Sequence, residues 1–311
     1  MTVVARRVAT ENIMGRSARY NLSRIVKGGT LDVPKVIQAL LTSPSIRSRE
    51  FAWMITDVIE GTIAYDSASH RYLFGRLAKY DPTALIDTVD EPSHTTTQRL
   101  EPNLQKAASD FVYLPDSAVF GHRHVWNEIR PKDFRDHVAE LVIAFHQGFF
   151  VECELHAIAD LSLFLSKLGR IDQVTELKAN VSPPNPLFGK FWENLDKYMA
   201  DRRLRRLSIK EVAKLGQVIP TTAPEIARRI EAENTIDGEP APTGDAAVLM
   251  AADGYGTAEV AGTRDSQAVV VKTKDNAISI TLPANVLAEE LALAVVREVT
   301  SLEKRRGLTH K

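Results

Sequence analysis

Four arginines in five positions, Arg202, Arg203, Arg205 and Arg206, with Lys210 shortly after them, are the residues of this sequence best suited to a defined chemistry. A guanidinium is a planar fork of donors that meets phosphate oxygens two at a time. Four of them so closely spaced cannot all face a core, so some are expected at the surface, where they can hold a phosphate backbone. The stretch Leu187 to Lys214 holds eight Lys/Arg against four Asp/Glu. Residues 1–50 hold nine basic and three acidic side chains, and Arg16, Arg19 and Arg24 are candidate phosphate contacts there. The remainder is acidic: twelve basic against nineteen acidic over 51–186, and ten against fourteen over 215–311. A net charge of −1 therefore conceals two separated basic segments. The competing reading is a solvated charged face without a ligand.

His122 and His124 form an H-x-H pair, a spacing that lets one face of a strand bind zinc or iron. Asp116, Glu152, Glu154 and His156 could add carboxylates or a third imidazole, which would suit a metal-dependent nuclease. Alternation on a solvated strand yields such pairs readily, so neither a metal site nor a catalytic residue is assigned. There is no G-x-S-x-G, H-E-x-x-H, P-loop or G-x-G-x-x-G, and no cofactor is expected. Gly254-Tyr255-Gly256 precedes a strand, where a phosphate loop would precede a helix, and it reads as a hairpin turn. Cys153, the single cysteine, sits at an inward strand position and excludes an internal disulfide framework.

The elements that position these residues follow from their periods. Thr2–Val8 and Ser17–Val26 read as strands, and Asp32 caps a helix over Pro34–Leu41. Phe51–Ile59 and His70–Lys79 read as strands, and Asp110–Trp126 as a hairpin turning at Pro115-Asp116-Ser117. Pro131–Gln147 is amphipathic, with Phe134, Val138, Leu141, Val142 and Phe145 on one face. Phe149–His156 alternates as a strand, a short helix runs to Leu168, and Val174–Val181 reads as another strand. No structure is read between Thr83 and Lys106. The run Pro183-Pro184-Asn185-Pro186 forces an extended path before a helix carrying Phe188, Phe191, Trp192, Leu195 and Tyr198. Pro224–Asn234 reads as a helix. Ala246–Ala251, Thr257–Val260, Ala268–Thr273 and Ala277–Leu282 read as short strands, the last two joined by a turn at Lys274-Asp275-Asn276. Pro283–Arg306 closes as one helix, with Val286, Leu287, Leu291, Val295, Val299 and Leu302 as its apolar stripe. That stripe could complete a core or form a dimer seam.

This order suits an α+β protein with mixed sheets and helices on one face. Three units are expected: 1–181, a basic linking segment 182–244, and strands plus helix at 245–311. At 311 residues and 44% hydrophobic content the chain can bury substantial cores. No apolar run has the length or flanks of a signal peptide or a spanning helix, which points to a cytoplasmic protein without membrane insertion.

In layout the chain resembles the RexA-like phage-exclusion and abortive-infection proteins. The stretches that carry the resemblance are FAWMITDVI (51–59), HRYLFGRLAKY (70–80), DFVYLPDSAVFGHRHVW (110–126), VECELH (151–156), VTELKANV (174–181) and KDNAISITLPANV (274–286), with the basic segment after 181 and the C-terminal helix. The resemblance implies a homodimeric, two-domain, DNA-binding protein that senses an infection intermediate and acts with an effector protein. It implies no catalytic residues.

Overall fold

The axis of the larger sheet is β1 (Ser17–Gly29), a strand long enough to take different partners along its two halves. The computed structural model describes residues 17–182, 193–223, 225–226 and 241–307. On one edge β1 pairs first with β14 (Ser279–Pro283), then with β9 (Val151–Ala157). Its other edge pairs with β8 (Val119–Arg123). Beyond β8 follow β7 (Leu104–Leu114), β4 (Ala68–Asp81), β3 (Phe51–Tyr65) and β2 (Ile46–Ser48), with every neighbouring pair antiparallel.

Both faces of this sheet are covered. On one lie α1 (Val33–Thr42) and α2 (Pro131–Phe145). Asp32 caps α1 by accepting from the Lys35 amide at 2.9 Å, and Val36, Ile37, Ala39 and Leu40 turn inward. Arg130 and Asp133 close the start of α2, whose Phe134, Val138, Leu141 and Val142 are buried with Phe111 and Phe120 of the sheet. On the opposite face lies the C-terminal helix, Ala288–Gly307, burying Leu291, Val295, Val296, Val299 and Leu302 against Tyr20, Leu22 and Val112. Gly121 is bare where this helix presses closest: a Cβ there would collide with Val295.

Between β9 and β14 the chain leaves the large sheet and builds a second lobe. Ala159 and Ala277 meet in an isolated bridge at its stem. The lobe contains α3 (Leu161–Leu168), β10 (Gln173–Val181), α4 (Glu193–Asp201), β11 (Leu207–Val212), α5 (Thr243–Met250), β12 (Gly256–Arg264) and β13 (Gln267–Lys272). Its antiparallel sheet runs β11-β10-β12-β13, and its core gathers Leu177, Ala179, Val181 and Val260 around α5. The C-terminal helix is α6.

The class is α+β, as expected, and several expectations within it are corrected. Residues 246–251 form helix, not strand: α5 is buried on every side, so its apolar run shows no alternation and no helical stripe. Asp245 in its first turn is also buried, accepting from Thr221 Oγ1 and from the amide and hydroxyl of Thr222 at 2.6–2.8 Å. Gly254, at φ 86°, turns the end of that helical run directly into β12, so it belongs to a helix-to-strand corner and not to a hairpin. β13 and β14 do not pair; the turn at Thr273–Asn276 carries the chain from one sheet to the other. The region from Thr83 to Lys106 is a two-stranded arm, β5 (Ala84–Asp90) and β6 (Thr95–Glu101), followed by the start of β7. The sheets also redraw the expected units, because the second lobe spans 159–277, while β14 and α6 return to the large sheet. The expected strand at Thr2–Val8, the proline run and most of the helix at Pro224–Asn234 lie outside the described residues.

Candidate nucleic-acid interface

The second lobe covers one face of its sheet with α5, and no described element packs over the other. Strand alternation decides what that open face carries. Leu177, Ala179 and Val181 of β10 turn to α5, so Lys178 and Asn180 turn away. In β11 Leu207 is buried, and Ser208 and Lys210 are exposed. The register sets Lys210 opposite Lys178, Lys178 opposite Glu259, and Glu259 opposite Lys272. Lys274 follows in the turn after β13. The face is a shallow groove of about 460 Å³. Through Thr257, Thr273 and Lys274 it continues into a cleft of about 560 Å³ against α2 and β9.

Most of its cations hold a carboxylate. Glu176 receives Lys178 at 2.9 Å and Lys210 at 3.3 Å, and Glu259 receives Lys272 at 2.9 Å. These bonds to lysine hold the Glu176 and Glu259 carboxyls below their usual range. All are surface pairs whose net contribution is small, so an incoming phosphate can compete for the lysines at small cost. Lys274 is exposed and pairs with no described residue.

The arginine cluster lies in the turn before β11, where Arg205 and Arg206 line a separate pocket with Gly28, Glu152 and Ser182. Arg205 pairs with Glu152 and Arg206 with Glu154, tying the second lobe to β9 of the large sheet. Their side chains nevertheless stay 64% and 39% exposed. Arg202 lies over the Tyr198 ring at 5.1 Å, and Arg203 is exposed at φ 53°. Thus Arg202, Arg203, Arg205, Arg206 and Lys210 all belong to one segment of the second lobe, and the structure adds Lys178, Lys272 and Lys274 beside Lys210. Sequence reading missed these three because they are scattered across 178–274 and only the sheet register assembles them.

The N-terminal candidates do not join this surface. Arg24 is 4% exposed, so it is withdrawn as a phosphate contact. It donates to the carbonyls of Ser117 at 2.7 Å and Asp253 at 3.0 Å and lies over Tyr255. Arg19 is exposed but sits near the opposite end of β1, beside His124, whose pKa is lowered by burial and by the Arg19 charge. Arg16 lies outside the described residues.

The histidine pair makes no metal centre with the strand carboxylates. His122 is buried, stacked on Phe134 with ring centroids 4.0 Å apart, and its Nε2 lies 3.0 Å from Ser23 Oγ. Burial drives its pKa well below the ordinary imidazole value. Register separates it from the acids: His122 opposes Asn21, whereas Glu152 and Glu154 oppose Gly28 and Val26, positions of the other parity on β1. Among the described residues no group of three His, Cys, Asp or Glu side chains could hold a metal. No described helix is long and apolar enough to cross a membrane.

No curated protein matches this sequence. A family model described as a domain of unknown function, DUF4747, matches residues 36–299. The match begins inside α1, spans the whole second lobe and ends within α6, so it takes in both lobes as one unit. The chain belongs to the DUF4747 family.

Proposed function

We propose that this is a bacterial anti-phage defence protein that binds nucleic acid, DNA first, without catalysing a reaction, and acts as a homodimer with an effector partner. The observation that carries the binding is the assembly of Lys178, Lys210, Lys272 and Lys274 on one uncovered sheet face, next to the exposed Arg202–Arg206 turn. An antiparallel sheet with helices behind it and a polar, basic front can track a phosphate backbone without reading bases. The defence role and the effector rest on the RexA-like layout. A homodimer would use a surface other than the Leu291–Val295–Val299–Leu302 stripe of α6, because those residues are buried in the protein's own core; Leu287, expected in the same stripe, is 67% exposed.

The test is fluorescence anisotropy of the full chain with duplex DNA over a salt series. Phosphate-dominated binding weakens with a log–log slope near −0.9 per neutralised phosphate. Replacing Arg202, Arg203, Arg205 and Arg206 by Ser should reduce that slope by about one unit per lost contact, as should Lys178→Ser with Lys210→Ser. Absence of binding at low salt, or a slope unchanged in both variants, would sink the proposal.

A further inference from the structure

The cleft beyond Lys274 differs from the sheet face that leads to it. One wall is α2, with Lys132, Arg135, Asp136 and Glu140. The other is the outer edge of β9, with Glu154 and His156. Gly256, Thr257, Thr273 and Lys274 of the second lobe close it. Behind the polar groups lies an apolar floor of Ala139, Ile143, Cys153 and Leu155. At about 560 Å³ the cleft has the size of a small-molecule pocket.

Arg135 is its distinctive group. It is half-buried, yet makes no hydrogen bond and no ion pair with any described residue. The charges of Asp136 and Asp133 offset part of the cost of burying this guanidinium, but neither carboxylate hydrogen-bonds to it, and an arriving anion could supply those bonds. His156 beside it is held neutral, its pKa pushed down to about 4 by burial and then by the Arg135 charge. Lys274 at the rim is a second cation without a described partner. Lys132, by contrast, is held by Asp136.

The charges limit what can enter. Lys132 is held by Asp136, and Glu154 by Arg206 from outside the cleft and by His156 at 3.1 Å, which leaves Arg135 and Lys274 against Glu140 and suits one phosphate better than a chain of them. The apolar floor suits a flat ring, and the carboxylate lone pairs not used in these contacts can accept from hydroxyl and amino groups.

We propose that this cleft binds a nucleoside monophosphate, with Arg135 and Lys274 holding the phosphate and the Ala139–Ile143–Leu155 floor carrying the base. The site adjoins the lysine-bearing sheet face and shares Lys274 with it, but Arg135 and the apolar floor belong to the cleft alone, and its ligand is a monomer. Isothermal titration of the full chain with adenosine, guanosine, cytidine and uridine 5′-monophosphates tests it, with the corresponding nucleosides as controls. At least one monophosphate should bind, and its nucleoside should bind about tenfold more weakly or not at all. Arg135→Gln should weaken the monophosphate by about tenfold. Lys274→Gln, at an exposed position where folding is not at stake, should weaken it several-fold. The proposal is overturned if no monophosphate binds at millimolar concentration, if nucleoside and nucleotide bind alike, or if Lys274→Gln leaves affinity unchanged. Duplex DNA measured in parallel reports on the sheet face, so each reading fails by its own measurement.

Discussion

The two sheets of this protein solve the same problem in opposite ways. The large sheet is clad on both faces, by α1 and α2 on one side and α6 on the other, and its interior strands carry large buried side chains such as Tyr20, Phe111, Tyr113 and Phe120. The small sheet is clad on one face only, and its uncovered face carries lysines and glutamates in register. A sheet covered twice has spent its surface on stability, whereas a sheet covered once keeps a surface for a ligand. Substitutions should therefore be severe in the first and mild in the second.

The largest effect is expected from removing α6. A chain ending after Pro283 loses the cover over Tyr20, Leu22 and Val112, together with six buried residues of the helix from Leu291 to Leu302. At about 1.5–3 kcal/mol for each large apolar side chain, the loss rivals the whole stability of a typical domain. The truncated protein should aggregate or lose its cooperative unfolding transition; a soluble, cooperatively melting truncation would show that α6 is an accessory.

Next comes the strut between the lobes. Arg24→Leu strips the Ser117 and Asp253 carbonyls of a charged donor and should cost about 2–4 kcal/mol, read from denaturant unfolding. Surface arginines such as Arg203 should show nothing comparable.

A similar magnitude should appear on acidification. His156 has a folded pKa near 4, below its unfolded value, and that of His122 is also strongly depressed. The unfolded chain takes up these protons first, so stability is full above about pH 6.5 and falls as pH drops below it. The His156 contribution levels off near pH 4 and amounts to about 3 kcal/mol. His156→Gln should flatten that part of the stability–pH curve; an identical curve would mean that the imidazole protonates freely in the folded protein.

What could be read from the sequence divides along the same line. Elements with a local period were legible: α2 by its Phe134–Val138–Leu141 stripe, β9 by its strict alternation, and the β7–β8 hairpin by its turn residues. α5 was not, because a helix buried all round has no polar face to mark its period. Beyond Ala84, which is buried, β5 and β6 lie mostly in water, with Val89 72% exposed, so hydrophobic patterning had little to report there. The arginine cluster was found at once, but not its partners, since Glu152 and Glu154 lie some fifty residues upstream and meet it only through the fold. The lysine face was invisible for the same reason.

The smallest effects sharpen the comparison from the other side. Lys178→Ser, Lys210→Ser and Lys272→Ser should each leave the melting temperature nearly unchanged. Replacing the arm from Thr83 to Pro102 by a short turn should leave the melting temperature nearly unchanged, because Asp81 and Leu104 already face each other across β4 and β7. A marked drop in either case would reveal contacts that the exposed faces do not display.

The pairing of Ser17 with Pro283 places the first described strand of the chain against the last. During synthesis β1 is made long before β14, so the Ser17–Asn21 part of its edge stays uncovered until the segment Ser279–Pro283 has emerged. The second lobe, closed at Ala159 and Ala277, can mature meanwhile as a unit of its own. The large sheet cannot, and its unfinished edge and bare apolar face are surfaces on which nascent chains associate. Closure of the large sheet thus waits for β14 and α6, and yield on expression should respond to chaperone supply and temperature more than to any change in the lysine-bearing lobe.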